Sequence, residues 1–215
     1  MPATIVHLAF AGMLAAVLLG DAFGKKSLAI VLCVAAIPDL DSFIALYTAA
    51  GHRVALHNVW IPVIGTVLLW VDLNVRENSF VKERWGDWGV RVIWVSLFCY
   101  LVAHIMLDLV DGSVNLFWPV YDQFYTLRGD VELSNQRGLV QTFSDSGIPL
   151  LEARGTIDDI RLSTGVDPNP GSSGGETNPE RIFPVFQAGW ELLLFTVGTL
   201  VTIARFYIPY ETSEN

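Results

Sequence analysis

Long apolar runs alternate with short polar patches through the first half of the chain and return near its C-terminal end. That alternation is the pattern of a chain that uses lipid as a solvent, where each backbone polar group must be satisfied within its own segment. It predicts helices. Five spans can be drawn: Thr4 to Phe23, closed by Gly24-Lys25-Lys26; Ser27 to about Ala50, interrupted at Pro38; Asn58 to Leu73, split by Pro62; Trp88 to Val110; and Ile182 to Ile208. The expected fold class is all-α, an integral membrane helical bundle of about five spans with a polar, partly irregular extramembrane segment before the last span. Residues 1–110 then form the bundle with four spans, 111–181 an acidic extramembrane segment, 182–208 the last transmembrane helix and 209–215 a tail.

Composition supports this division. Only 16% of the 215 residues are charged, where a soluble domain carries about a quarter. The formal net charge is −9, and the excess acid lies mainly in 111–181, with 11 Asp and Glu against 5 Arg. An acidic, lysine-poor surface excludes nucleic acid as a partner, because phosphate binding wants a basic face. Cys33 and Cys99 fall inside apolar runs and read as small buried residues rather than a disulfide. No basic stretch precedes the first run, so residues 5–23 read as a retained span and not a cleaved signal. Within 111–181, residues 167–175 read as a flexible turn, and the short apolar pieces Val114–Val120 and Gly138–Leu151 as strands or a small lid.

Basic residues set the expected orientation. With the N-terminus outside, the inner loops hold Lys25, Lys26, Arg76, Lys82, Arg84 and Arg91, and the short outer loop only Arg53. The positive-inside rule favours that arrangement. It makes the protein a multi-pass cell-membrane protein with its N-terminus and polar cluster on the extracytoplasmic side.

That cluster contains every histidine of the chain: His7, His52, His57 and His104. His104 and Asp108 are spaced i, i+4, about 40° apart on one helix face, and Asp111 continues the stripe. Pro38 disfavours helix at Ile37 and removes a backbone donor. Irregular backbone after it brings Asp39 and Asp41 toward one cavity, whereas an ordinary loop would leave them as a cap and a solvated charge. His52 and His57 are five apart and meet a common point only from a loop. Singly, each histidine reads as a solvated loop residue or a satisfied bundle residue. Together with the acids they mark a functional site, because ionisable groups within a membrane are costly.

Imidazole plus carboxylate without thiolate suits a divalent metal, Zn²⁺ foremost, with Mn²⁺ or Fe as alternatives. The candidate ligands are His7, Asp39, Asp41, His52, His57, His104 and Asp108, more than one tetrahedral site uses, which allows a two-metal cluster. A bound water's pKa would fall toward ~7, with Asp39 or Asp41 orienting or deprotonating it and Arg53 clamping a phosphate oxygen. These three are the candidate catalytic residues. Glu191, in the last span, is a further candidate.

The order His7, Pro38-Asp39-Leu40-Asp41, His52-Arg53 with His57, then His104-x-x-x-Asp108 resembles the LexA-binding, inner-membrane-associated family of metal-dependent hydrolases, over roughly residues 1–125. It is similar, more distantly, to the zinc-dependent phospholipase C family. Where the former family shows His-Arg-Gly and Thr-His-Ser, this chain has His52-Arg53-Val54 and Leu56-His57-Asn58. The resemblance implies a hydrolase. The site's place in the membrane suggests membrane lipids as partners and a lipid-like phosphoester as substrate. Two other readings stay open: a non-catalytic membrane protein with a structural metal site and an acidic interaction surface, and a transporter.

Overall fold

The computed structural model describes residues 2–47, 51–142, 150–170 and 178–208. The expected end of the second run near Ala50, residues 143–149 of the expected apolar piece, residues 171–175 of the expected turn and the 209–215 tail lie outside the described residues. The chain divides into two compact units, one of Pro2–Pro38, Val59–His104 and Pro184–Asn215, the other chiefly of Asp39–Asn58 and Ile105–Phe183.

The first unit is helical. It holds α1 (Thr4–Leu18), α2 (Lys25–Ala36), α4 (Trp60–Asn74), α5 (Phe80–Cys99) and α7 (Gly189–Tyr207). Helices α1 and α7 run parallel through small residues. A Cβ on Gly198 would lie 2.5 Å from the Ala9 carbonyl oxygen, and one on Gly12 2.6 Å from Thr202 Oγ1. Small residues at such a seam let two backbones approach where lipid supplies no hydrophobic drive. At its far end Arg205 donates from Nε to the Ala16 carbonyl (3.2 Å) and from a terminal nitrogen to the Gly20 carbonyl (3.0 Å), satisfying carbonyls at the end of α1. Ala11, Ala15, Val31, Ala35 and Val95 form the core with Cys99.

Asp72, near the end of α4, caps α5. Its carboxylate accepts from Ser79 Oγ (2.6 Å) and from the Phe80 and Val81 amides (3.0 and 3.1 Å), which have no partner within their own helix. Those hydrogen bonds, led by the one from Ser79, hold the Asp72 carboxyl below its ordinary pKa. Gly86 interrupts α5 with a φ of 64°, a region open mainly to glycine. Beyond Cys99 the turns widen to a π-helix at Tyr100–Met106.

Among the described residues, the second unit contains α3 (Asp41–Ile44), α6 (Leu107–Asp111) and four short strands, β1 (Phe124–Thr126), β2 (Val131–Ser134), β3 (Gly138–Gln141) and β4 (Glu152–Gly155). These strands pair antiparallel as β1 with β4 and β2 with β3. The Leu127 amide and Thr126 Oγ1 both donate to the Leu109 carbonyl, at 2.8 and 3.1 Å, tying β1 to α6.

The expectation of an all-α bundle with about five spans is therefore corrected on both counts. Two small sheets accompany the helices. Among the described residues, Phe80–Asp111 and Gly189–Tyr207 are long and apolar enough to cross a membrane, with a third span if Lys25–Ala36 and Pro38–Ile44 count as one bent segment. All five apolar runs form helix, but length decides. Helices α1 and α4 have 15 residues each, about 22 Å at the helical rise against a hydrocarbon core of about 30 Å. Pro62 does not split α4; it lies in the first turn, where a missing N–H costs no hydrogen bond. The last helix starts at Gly189 rather than Ile182. Cys99 is buried as expected, whereas Cys33 is exposed; both are free.

Candidate metal centre

The second unit is organised on Asp41. Pro38 turns the chain into a 3₁₀ segment, Pro38–Leu40, and Asp41 opens the next helix with its carboxylate wholly buried. Oδ1 accepts from His52 Nδ1 at 2.5 Å. Oδ2 accepts from the Val54 amide at 3.2 Å and from His57 Nδ1 at 2.7 Å. One acid thus gathers both loop histidines, whose ring centres lie 5.0 Å apart at 81°. The loop makes this reach by placing Arg53 at a φ of 64°, uncommon for a residue with a side chain.

The two rings differ in what their second nitrogen meets. His52 Nδ1 faces the Asp41 carboxylate, which only accepts, so the proton is on Nδ1 and the neutral ring keeps its lone pair on Nε2. That Nε2 is buried with no hydrogen-bond partner among the described residues. His57 instead bridges two carboxylates, with Nε2 at 3.1 Å from Asp108 Oδ2. Burial pushes the His57 pKa down, but the charges and hydrogen bonds of Asp41 and Asp108 outweigh it and hold the ring at about 9. Arg53 closes the network, donating to Asp108 Oδ1 and, at 3.4 Å, to the Asp108 carbonyl. Asp39, half-buried, joins here as well: one donor atom from each of Asp39, His52 and His57 lies within 4.8 Å of the others.

The helical unit holds the other two histidines. The rings of His7 and His104 stack with centroids 4.0 Å apart and planes 13° from parallel. His7 Nδ1 donates to the Ala103 carbonyl at 2.9 Å, and His104 Nδ1 to the Ala35 carbonyl at 2.8 Å. Carbonyls accept and never donate, so each neutral ring carries its lone pair on Nε2. Fixing one ring nitrogen to orient the other is how proteins hold metal-binding imidazoles.

The predicted residues thus fall into two groups. Asp39, Asp41, His52, Arg53, His57 and Asp108 are together in one unit, and His7 and His104 in the other. Asp108 and Arg53 neutralise one another, and Asp41 is engaged by both histidines, which suits it to orient imidazoles. Asp111 ends α6, half-buried. Glu191 acts at the start of α7, where Oε2 accepts from the Gln187 amide at 2.8 Å while Oε1 is buried with no hydrogen-bond partner among the described residues.

Sequence reasoning missed several supports. Ser42 Oγ lies 3.1 Å from His52 Nδ1. The Asn115 amide donates to the Arg53 carbonyl (3.1 Å) while its side chain donates to Asp122 Oδ1 (2.6 Å), bracing the loop. An asparagine inside the apolar piece Val114–Val120 was the signal for the latter, since a polar side chain there needs partners. Nothing in the sequence marks the π-helix that contains His104, although such turns gather at functional sites.

No curated protein and no solved structure matches the chain. Residues 1–140, which include all four histidines together with Asp39, Asp41, Arg53 and Asp108, match the family described as YdjM inner membrane protein, and the chain belongs to that family.

Proposed function

We propose that this membrane protein is a metal-dependent hydrolase that acts on a phosphoester or lipid-like substrate at the membrane interface, with Asp39, His52 and His57 holding the ion. One observation carries the reading: His52 Nε2 is buried without a hydrogen-bond partner among the described residues, while Asp41 fixes the opposite nitrogen of the same ring. Burying an unpaired imidazole nitrogen is costly unless a ligand completes it. The donors fit Zn²⁺ best, with Mn²⁺ or Fe as alternatives. His7 and His104, each oriented by a main-chain carbonyl at Nδ1, would supply imidazole donors to a second ion.

A divalent ion supplies the Lewis acidity that makes water nucleophilic near neutral pH. The chain's own residues do the rest. Asp41 sets the tautomer of His52 and the orientation of both rings. Asp39, the least buried acid of the group, would take the proton from the attacking water through the carboxylate oxygen it does not give to the ion. Arg53, held on Asp108, offsets the charge of that carboxylate. The likeness in motif order to the LexA-binding, inner-membrane-associated family, and more distantly to zinc-dependent phospholipase C, supports hydrolysis as the reaction class. The asymmetry of basic residues supports a multi-pass chain with the centre on the extracytoplasmic side.

A second reading, a structural metal site, has its own support. Asp41, His52, His57 and Asp108 are all buried, and Arg53 is locked on Asp108. A closed shell of that kind holds an ion without admitting substrate.

Elemental analysis of the purified protein beside His52→Ala and His104→Ala tests the ligands, with loss of metal expected in both. Unchanged metal in both variants removes the centre. Hydrolysis of phospholipids and small phosphoesters, with chelator controls, then separates the readings. Chelator-sensitive turnover supports the enzyme, and bound metal without turnover supports the structural site.

A further inference from the structure

The turn that buries Asp41 has a second face. Leu40, Phe43, Leu46 and Tyr47 are 52%, 54%, 50% and 88% exposed, while Asp41, Ser42 and Ala45 are buried. The spacing from 40 to 43 to 47 is that of one helical stripe, with Leu46 beside it. Amide-to-carbonyl bonds from Ala45 to Asp41, Leu46 to Phe43 and Tyr47 to Ile44 carry the helical turn past Ile44, so the stripe is continuous. Its apolar and acidic faces are therefore opposite sides of one short turn. The four residues of α3 span about 6 Å, far less than a bilayer core. A short turn that is apolar on one side and carries Tyr47 there fits the interfacial zone, where amphipathic rings settle.

We infer that Leu40, Phe43, Leu46 and Tyr47 form a lipid-contacting face which receives a phospholipid of the bilayer and brings its phosphoester to the centre on the other side of the same turn. Three observations commit this face to lipid. The chain belongs to an inner membrane protein family. The stripe carries no charged side chain, so placing it in the lipid interface strands no ion. Adjacent residues, Leu40 and Asp41, point to the apolar surface and to the histidine network respectively. The substrate half of the inference rests on the hydrolase reading above; the lipid contact does not.

The test uses the full chain in vesicles of phosphatidylethanolamine and phosphatidylglycerol. In a Cys33→Ser background, Leu46→Cys and the exposed polar position Asp158→Cys each carry an environment-sensitive fluorophore. Brominated phospholipid is expected to quench the Leu46→Cys probe several-fold more than the Asp158→Cys probe; equal quenching overturns the lipid face. A Phe43→Ser, Leu46→Ser double variant is expected to lose about tenfold in hydrolysis of vesicle phospholipid, with metal content and turnover of a water-soluble phosphodiester retained. An equal loss on both substrates overturns the delivery role. If the unaltered protein hydrolyses neither substrate, the hydrolase reading fails and the substrate half falls with it, while the quenching result still decides the lipid contact.

Discussion

The two histidine groups are built on different acceptors. In the mixed unit, His52 and His57 lean on a carboxylate, that of Asp41. In the helical unit, His7 and His104 lean on main-chain carbonyls, those of Ala103 and Ala35. Both devices fix a tautomer, but only the carboxylate adds charge. It raises the basicity of the ring behind it and stabilises a proton or a cation at that ring. The carbonyl orients without charging, and it cannot be removed by substituting a side chain. The Asp41 group is therefore the one whose stability, and whose proposed metal binding, should respond to mutation and pH.

Removing the shared acceptor is the harshest way to break this contrast. Asp41→Ala leaves His52 Nδ1, His57 Nδ1 and the Val54 amide buried without their common partner. The expected loss is about 3–5 kcal/mol, the scale for breaking a buried charge pair, read by denaturant unfolding in detergent micelles. A loss below about 1 kcal/mol would show that the carboxylate is not the hub.

Protonation sharpens the contrast next. The His57 pKa is raised from the ordinary 6.5 to about 9. Its contribution to the stability of the metal-free protein is thus fully present below pH 6.5 and is lost as pH rises through about 9. The proposed metal binding would have the opposite sign, since a ligating His57 must give up that proton. Affinity for Zn²⁺ is expected to climb roughly tenfold per pH unit across this window, one proton released per ion. Competition titration with a chromophoric chelator measures it, and a flat profile would exclude His57 as a ligand.

The helical unit answers to packing instead. Gly198→Ala puts a methyl group against the Ala9 carbonyl, where the seam has no room. A cost of about 1–3 kcal/mol is expected, as for overpacking a tight core. Gly189, with open space at its Cβ position, provides the control.

How much of this was legible follows the same divide. The apolar runs announced the helices, because hydrophobicity is local. Their number as spans was not legible, since a run such as 58–73 shows its composition but not where the helix stops. The ionisable residues announced a buried polar cluster because charge in an apolar chain needs a partner. Which partner each would take was hidden: Arg53 reads as a phosphate clamp in sequence, yet its guanidinium is on Asp108, 55 residues away. The carbonyls of Ala35 and Ala103 were invisible for a simpler reason, that every residue has one. The strand pairing of Phe124–Thr126 with Glu152–Gly155 spans a separation that no short periodicity reveals.

The smallest effect discriminates most finely. His52 Nδ1 has two oxygen atoms near it, Asp41 Oδ1 at 2.5 Å and Ser42 Oγ at 3.1 Å. The charged acceptor makes the stronger hydrogen bond, so the hydroxyl should add little to the tautomer or to the basicity of Nε2. Ser42→Ala is expected to cost about 0.5–1.5 kcal/mol in stability, the range for one ordinary hydrogen bond, and to leave metal affinity within about threefold. A drop of tenfold or more in affinity is what losing a principal outer-shell partner produces. That result would move the orienting role from Asp41 to Ser42, and the carboxylate-backed histidine would then be held much as its carbonyl-backed counterparts are, by a neutral oxygen.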